Sequence, residues 1–182
     1  VKKFLYDTAS TDSGFGNNGV SGKGNSKYEG NSNCRTSYSY SGETYNGNYY
    51  TTAFYERSVV SIRISDGRCM QKYYLGGYTY NMTINPSTGM LYVGHSGGFK
   101  TINLNTNQTY NCSVRPNLLY SYGTKIMGDY IYFYRSNRIY RSKLNTGGSA
   151  CPENSTSGNF YYPEGSYVGL ERDPNNSNVL FT

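Results

Sequence analysis

The sequence predicts an all-β fold of many short strands, and three observations carry that prediction. Of its 182 residues, 23 are Tyr, 22 Gly, 22 Ser and 21 Asn, and Trp is absent. Gly, Ser and Asn favour turns while Tyr favours strands, so the mixture is poor helix material. Apolar residues alternate in short runs, and no window sustains a 3.6-residue apolar period. Finally, one alternating phrase recurs as SVVSIRI (Ser58–Ile64), GFKTINL (Gly98–Leu104) and RIYRSKL (Arg138–Leu144), whose last residues are 40 apart.

Each recurring phrase is followed by a polar turn, at Ser65-Asp66-Gly67, Asn105-Thr106-Asn107 and Asn145-Thr146-Gly147, and then by a cysteine. Each is preceded by another apolar strand: NYYTTAFYE (Asn48–Glu56), MLYVGHSG (Met90–Gly97) and YIYFYRSN (Tyr130–Asn137). Before those strands come turns at Asn46-Gly47, Pro86–Gly89 and Gly128-Asp129. Shorter strands precede two of these turns, YTYNMTI (Tyr78–Ile84) and GTKIM (Gly123–Met127). One unit thus holds four strands in about 40 residues, the size of a propeller blade. FLYDTAS (Phe4–Ser10) repeats the third-strand phrase, and SYVGLERDPNNSNVLFT (Ser166–Thr182) supplies an inner strand, a turn and the start of the next strand.

On these phrases the chain resembles the β-propeller superfamily, nearest to the bacterial short-blade repeats of the YVTN type. NPSTGMLYVG and GGFKTINLNT (within Asn85–Thr106) read as an ordinary blade of that kind. The resemblance implies an all-β propeller of four-stranded blades and carries no particular activity, because propellers host hydrolases, lyases, lectins and scaffolds. No Trp-Asp pair ends any strand, unlike WD40 blades. Two arrangements fit: a closed ring of four blades, one built from strands of both termini, or a window of a propeller with six to eight blades. The complementary ends favour the closed ring. We read residues 1–182 as one domain, with a Gly/Ser/Asn-rich surface loop inserted at 9–26.

The charged fraction is 15% and the net charge +6, which argues against ordinary disorder and allows acidic glycans or anionic surfaces as partners. The densest basic run, Arg135, Arg138, Arg141 and Lys143, interleaves with Tyr134 and Tyr140. It reads as a solvated outer strand with snorkelling side chains, so no nucleic-acid partner is assigned. No stretch has the ~18 apolar residues of a membrane helix. The chain opens on Val1 without a leader, as a processed or excised segment would, and its few Lys and Glu suit an extracellular, cell-surface or periplasmic setting. None of Cys34, Cys69, Cys112 and Cys151 sits in a CxxC pair, so they are disulfide candidates rather than zinc ligands. Equivalent positions of neighbouring blades diverge toward the rim, so pairing within one chain looks difficult unless the register shifts.

No catalytic constellation is visible. His95 is the one histidine and there is no GxSxG elbow. Among the carboxylates only Glu56 and Glu171 fall near strand positions that face a channel, whereas glycoside hydrolysis needs two across a sugar. Asp173, Asn175 and Ser177 alternate as a calcium loop would, but without its glycine and terminal glutamate, so they read as a turn. No metal or cofactor is assigned. The polar strand tips, Tyr55, Glu56, His95, Tyr134 and Arg135, are the expected ligand-binding residues. Tyr, Ser, Gly and Asn form the palette that antibody paratopes use. The leading expectation is a non-enzymatic recognition module that binds a glycan or protein through one propeller face. A self-associating subunit of an extracellular filament, sheath or surface layer comes next, then a propeller hydrolase or lyase.

Overall fold

The computed structural model describes residues 36, 38–112, 123–135, 138–145, 150–153, 156–160, 170–173 and 180–181. The Phe4–Ser10 strand, the insertion at 9–26 and Cys34 lie outside them. The described residues are all-β, without helix, and so include no helix long and apolar enough to cross a membrane. The chain divides into two units, Val1–Thr79 and Tyr80–Thr182.

Three four-stranded sheets carry the fold. Sheet 1 comprises β1 (Gly42–Tyr45), β2 (Asn48–Ala53), β3 (Ser58–Arg63) and β4 (Cys69–Tyr74) in that spatial order. Sheet 2 comprises β5 (Thr79–Asn85), β6 (Met90–His95), β7 (Gly98–Asn103) and β8 (Gln108–Cys112), again in order. Sheet 3 comprises β9 (Gly123–Met127), β10 (Tyr130–Arg135), β11 (Arg138–Lys143) and β12 (Thr156–Phe160), also a meander. A two-stranded hairpin follows, β13 (Glu171–Arg172) with β14 (Leu180–Phe181), within the segment read as a strand, turn and strand.

The repeat has a hydrogen-bonding basis. After the third strand of each sheet, the anchor residue's N–H donates to the turn joining the first two strands. The bonds are Ile64 to the Gly47 carbonyl (2.9 Å), Leu104 to Gly89 (2.9 Å) and Leu144 to Asp129 (2.7 Å). Turn chemistry prepares the Gly47 and Gly89 acceptors. Asn46 and Gly47 have φ of 44° and 71°, the pair of left-handed residues that a two-residue hairpin turn with the strand twist needs. Asn85 Oδ1 accepts the Ser87 N–H (3.0 Å) and its carbonyl accepts the Gly89 N–H (2.9 Å), which closes the β5–β6 turn.

The central strands β3 and β6 are buried on both faces, as a sheet covered on both sides requires. In the second unit, Tyr92 and Phe99 of sheet 2 pack against Ile131, Phe133 and Leu144 of sheet 3. The Phe99 and Phe133 rings meet edge to face at 5.6 Å between centroids. On another side of sheet 3, Tyr134 and Ile139 pack with Leu170. In the first unit, Val60 and Ile62 form a cluster with Cys69. The basic run departs from expectation: β11 is flanked by β10 and β12, and Arg141 stacks over the Tyr130 ring at 4.8 Å.

Cysteine pairing departs further. Cys112 and Cys151, from neighbouring repeats, form a disulfide with Cα atoms 5.4 Å apart. The argument from diverging blade rims fails because the two are not structurally equivalent. Cys112 ends the outer strand of sheet 2, whereas Cys151 lies in irregular chain before β12. Sheet 3 begins its outer strand at Thr156, well after β11 ends at Lys143, so the intervening chain can return to sheet 2. The Thr101 hydroxyl donates to Cys112 Sγ (3.3 Å), since a disulfide sulfur has no proton to give. Cys69 is likewise disulfide-bonded. The Cys112–Cys151 bridge spans 39 residues, so replacing both cysteines with Ala should lower the unfolding free energy by about 3–4 kcal/mol in urea titration. A change below about 1 kcal/mol would mean that the sheets lock without it.

Candidate ligand-binding site

Antiparallel order brings three chain segments to one end of sheet 1: the entry to β1, the β2–β3 turn and the exit of β4 toward β5. Five aromatic residues gather there. Phe54 and Tyr55 occupy the turn, Tyr38 and Tyr40 the entry, and Tyr78 the exit. The Phe54 and Tyr78 rings stack at 4.8 Å and 16°. Tyr55 meets Phe54 edge-on at 5.0 Å, Tyr38 meets Tyr55 at 5.3 Å, and Tyr40 meets Phe54 at 5.4 Å. Despite this packing, Tyr38 remains 68% exposed, Tyr40 57% and Tyr55 58%. Exposed contiguous aromatic surface is uncommon on a folded domain, which makes this end of sheet 1 a candidate binding surface.

Backbone and hydroxyl bonds hold the rings in place. The Phe54 N–H donates to the Tyr38 carbonyl (3.3 Å), and the Tyr40 N–H donates to Thr52 Oγ1 (3.0 Å). The Thr52 N–H returns to the Ser41 carbonyl (3.0 Å), and the Ser39 and Thr51 hydroxyls pair beside it. Arg57 closes the turn, its N–H on the Phe54 carbonyl (3.1 Å) and its own carbonyl accepting the Leu75 N–H (2.8 Å). Its guanidinium lies 5.0 Å above the Tyr78 ring. Hydrogen bonds with the Tyr78 and then the Tyr74 hydroxyl push Arg57 further above its ordinary value, so this cation is permanent.

The backbone at this site is unusual. Four described residues other than glycine have positive φ: Tyr38 (51°), Asn46, Arg57 (52°) and Asn107. Asn tolerates the left-handed region, but Tyr and Arg are uncommon there. Both of the unfavourable cases belong to the aromatic cluster. Such strain concentrates where the surroundings over-determine a geometry, and binding sites are one such place.

The expected site residues separate. Tyr55 and Glu56 both lie in the β2–β3 turn, with Tyr55 within the aromatic cluster. His95 is buried in the β6–β7 hairpin, where Nδ1 accepts the Gly97 N–H (3.1 Å), leaving the ring proton on Nε2. A Cβ on Gly97 would stand 3.2 Å from the imidazole, so the ring and the turn are built for each other. Tyr134 is 1% exposed and packs with Ile139 and Leu170. Arg135 ends β10. Sequence reading missed Tyr38, Tyr40, Arg57, Tyr74 and Tyr78. For the four tyrosines the signal was available: all flank strand ends that a meander brings to one edge.

Chemically, the cluster offers flat apolar faces, phenol hydroxyls and one fixed cation. Among the described residues no group of three or more His, Cys, Asp or Glu could hold a metal ion. Asp66 works in a turn, as expected of the carboxylates there. Burial raises its carboxyl, but the Arg68 N–H and the Arg63 guanidinium (2.9 Å) outweigh that and leave it below its ordinary value.

No protein-family model matches the chain, and no curated protein matches it by sequence. Solved structures match it in fold. Kuenenia stuttgartiensis hydrazine synthase superposes with a TM-score of 0.58 at 15% identity, over 75% of this chain and 39% of that one. The computationally designed Ika4 protein gives 0.55 at 11% identity, over 76% and 82% of the two chains. The computationally designed Ika8 protein gives 0.54 at 11%, over 76% and 41%. The chain therefore spans about two fifths of the hydrazine synthase and Ika8 chains and about four fifths of Ika4. At these identities the likeness is one of fold, a β-rich architecture of antiparallel sheets.

Burial, and then the Lys100 charge, hold the His95 imidazole below its ordinary value of 6.5. The folded state therefore favours neutral His95, and this contribution to stability is complete above about pH 6.5 and is lost as pH falls through the folded pKa. His95→Asn keeps an acceptor near the Nδ1 position without the titration. Thermal unfolding followed across pH 5–7.5 should fall more steeply toward acid for the wild type than for this variant. Parallel curves would remove His95 from the acid response.

Proposed function

We propose that the chain is a non-enzymatic recognition module, built as a β-propeller or a segment of one, that binds a glycan outside the cell through the aromatic cluster. The observation that carries this reading is the set of exposed, mutually packed Tyr rings at one end of sheet 1, with Arg57 fixed beside them. Pyranose rings carry an apolar C–H face that stacks on an aromatic face, while their hydroxyls exchange hydrogen bonds with phenols and a guanidinium. The propeller reading rests on three sheets with one strand order, the equivalent anchor bonds and the packing of sheet 2 on sheet 3. The intrachain disulfide is compatible with an oxidising, extracellular setting.

A glycan array probed with the purified chain should return a defined saccharide class, followed by calorimetry on the best hit. Tyr55→Ala and Arg57→Asn should each weaken that binding at least tenfold, about 1.4 kcal/mol. Arg57→Asn should leave stability within about 0.5 kcal/mol, because Asn accepts the left-handed conformation and the exposed guanidinium adds little. An empty array, or variants that bind like the wild type, would overturn the proposal.

A further inference from the structure

The second unit holds a cleft that the aromatic cluster does not share. It lies between sheets 2 and 3, at the edge opposite the His95 hairpin, and encloses about 400 Å³. That volume falls within the range of small-molecule sites. Its apolar lining comes from Met90, Tyr92 and Leu144, the last two also core residues, and Tyr110 adds a further ring.

The polar lining has a definite sense. Asn85 and Asn103 both border the cleft and both spend their side-chain oxygen on their own turn. Asn85 Oδ1 accepts the Ser87 N–H, and Asn103 Oδ1 accepts those of Asn105 (3.0 Å) and Thr106 (3.2 Å). Backbone N–H groups only donate, so these bonds settle which amide atom is oxygen and leave each NH₂ as the group with hydrogens to offer. Asp129, in the β9–β10 turn across the cleft, supplies a carboxylate that only accepts. These two amide donors, the Asp129 carboxylate, the Thr88 and Asn145 side chains and apolar lining with aromatic rings match a group whose hydroxyls both donate and accept around a C–H face. Among the described residues the lining has a single carboxylate and no Lys or Arg, which disfavours phosphate or another anion.

From this we infer that the cleft is a second binding site, specific for one neutral saccharide unit and held by Asn85, Asn103 and Asp129 above Tyr92. Ala150 lines it beside Cys151, so the Cys112–Cys151 bridge ties that part of the wall to sheet 2. The inference rests on chemistry in the second unit and stands whether or not the aromatic cluster binds a glycan.

The test uses the intact chain with glucose, galactose, mannose and N-acetylglucosamine, read by saturation-transfer and ¹H–¹⁵N correlation NMR. At least one sugar should bind with a dissociation constant on the order of 1 mM and shift the Asn103 side-chain NH₂ resonances. Asn103→Asp keeps the turn acceptor but removes the donor, and Asp129→Ala removes the carboxylate from an exposed turn. Each should weaken binding at least tenfold while amide dispersion stays native. No binding by any of the four sugars, or binding that both variants leave intact, would overturn the site. Binding lost in Tyr55→Ala and kept in Asn103→Asp would assign the sugar to the aromatic cluster instead and overturn the cleft alone.

Discussion

The central strands β3 and β6 must be covered on both faces, and much of the structure answers to that constraint. β3 and β6 bury nearly every residue they carry. A chain with little Leu and no Trp meets the demand with Tyr, Val, Ile and an unusual amount of Thr. Thr51, Thr52, Thr79 and Thr101 are fully buried, which suits a β-branched residue whose hydroxyl finds a local partner. Thr52 accepts the Tyr40 and Ser41 N–H groups, and Thr79 donates to the Ser58 carbonyl. Covering both faces leaves the sheet ends as places to display side chains, and both candidate sites lie at such ends.

Much of this was legible in the sequence because the signals are local. Alternation set the strands, and Asn-Gly, Pro-Ser-Thr-Gly and Gly-Asp set the turns between them. GTKIM is β9 residue for residue, and the anchors Ile64, Leu104 and Leu144 make one and the same bond. What was not legible depends on distances between residues remote in the chain. Cys112 and Cys151 pair because one connection to an outer strand is long and another short, a difference that equal repeat spacing conceals. His95 and Tyr134 look like exposed tips by position, yet a turn built around the imidazole buries one and the packing around Ile139 buries the other.

The aromatic cluster was half legible for the same reason. Tyr55 stands out at a strand tip, while its neighbours beyond Phe54 come from two other segments. Only the meander collects them. A sequence reader who projects strand ends onto one edge would find Tyr38, Tyr74 and Tyr78 with Tyr55. Arg57 would still escape, because its contact with Tyr78 depends on a left-handed turn residue that no Arg side chain announces.

Strain at Tyr38 and Arg57 bears on the proposed recognition. Two residues held in the left-handed region cost about 1–2 kcal/mol each, a sizeable fraction of a domain's net stability. The bonds of Tyr38 to Phe54, of Tyr40 to Thr52 and of Leu75 to Arg57 offset that cost and fix the rings, as the proposed recognition requires. Tyr rings already lose little entropy on ordering, and a preformed platform loses less still on binding. A flexible tyrosine-rich loop would carry the same composition without that advantage. The sheet beneath the rings, more than the number of tyrosines, therefore makes this edge suited to recognition.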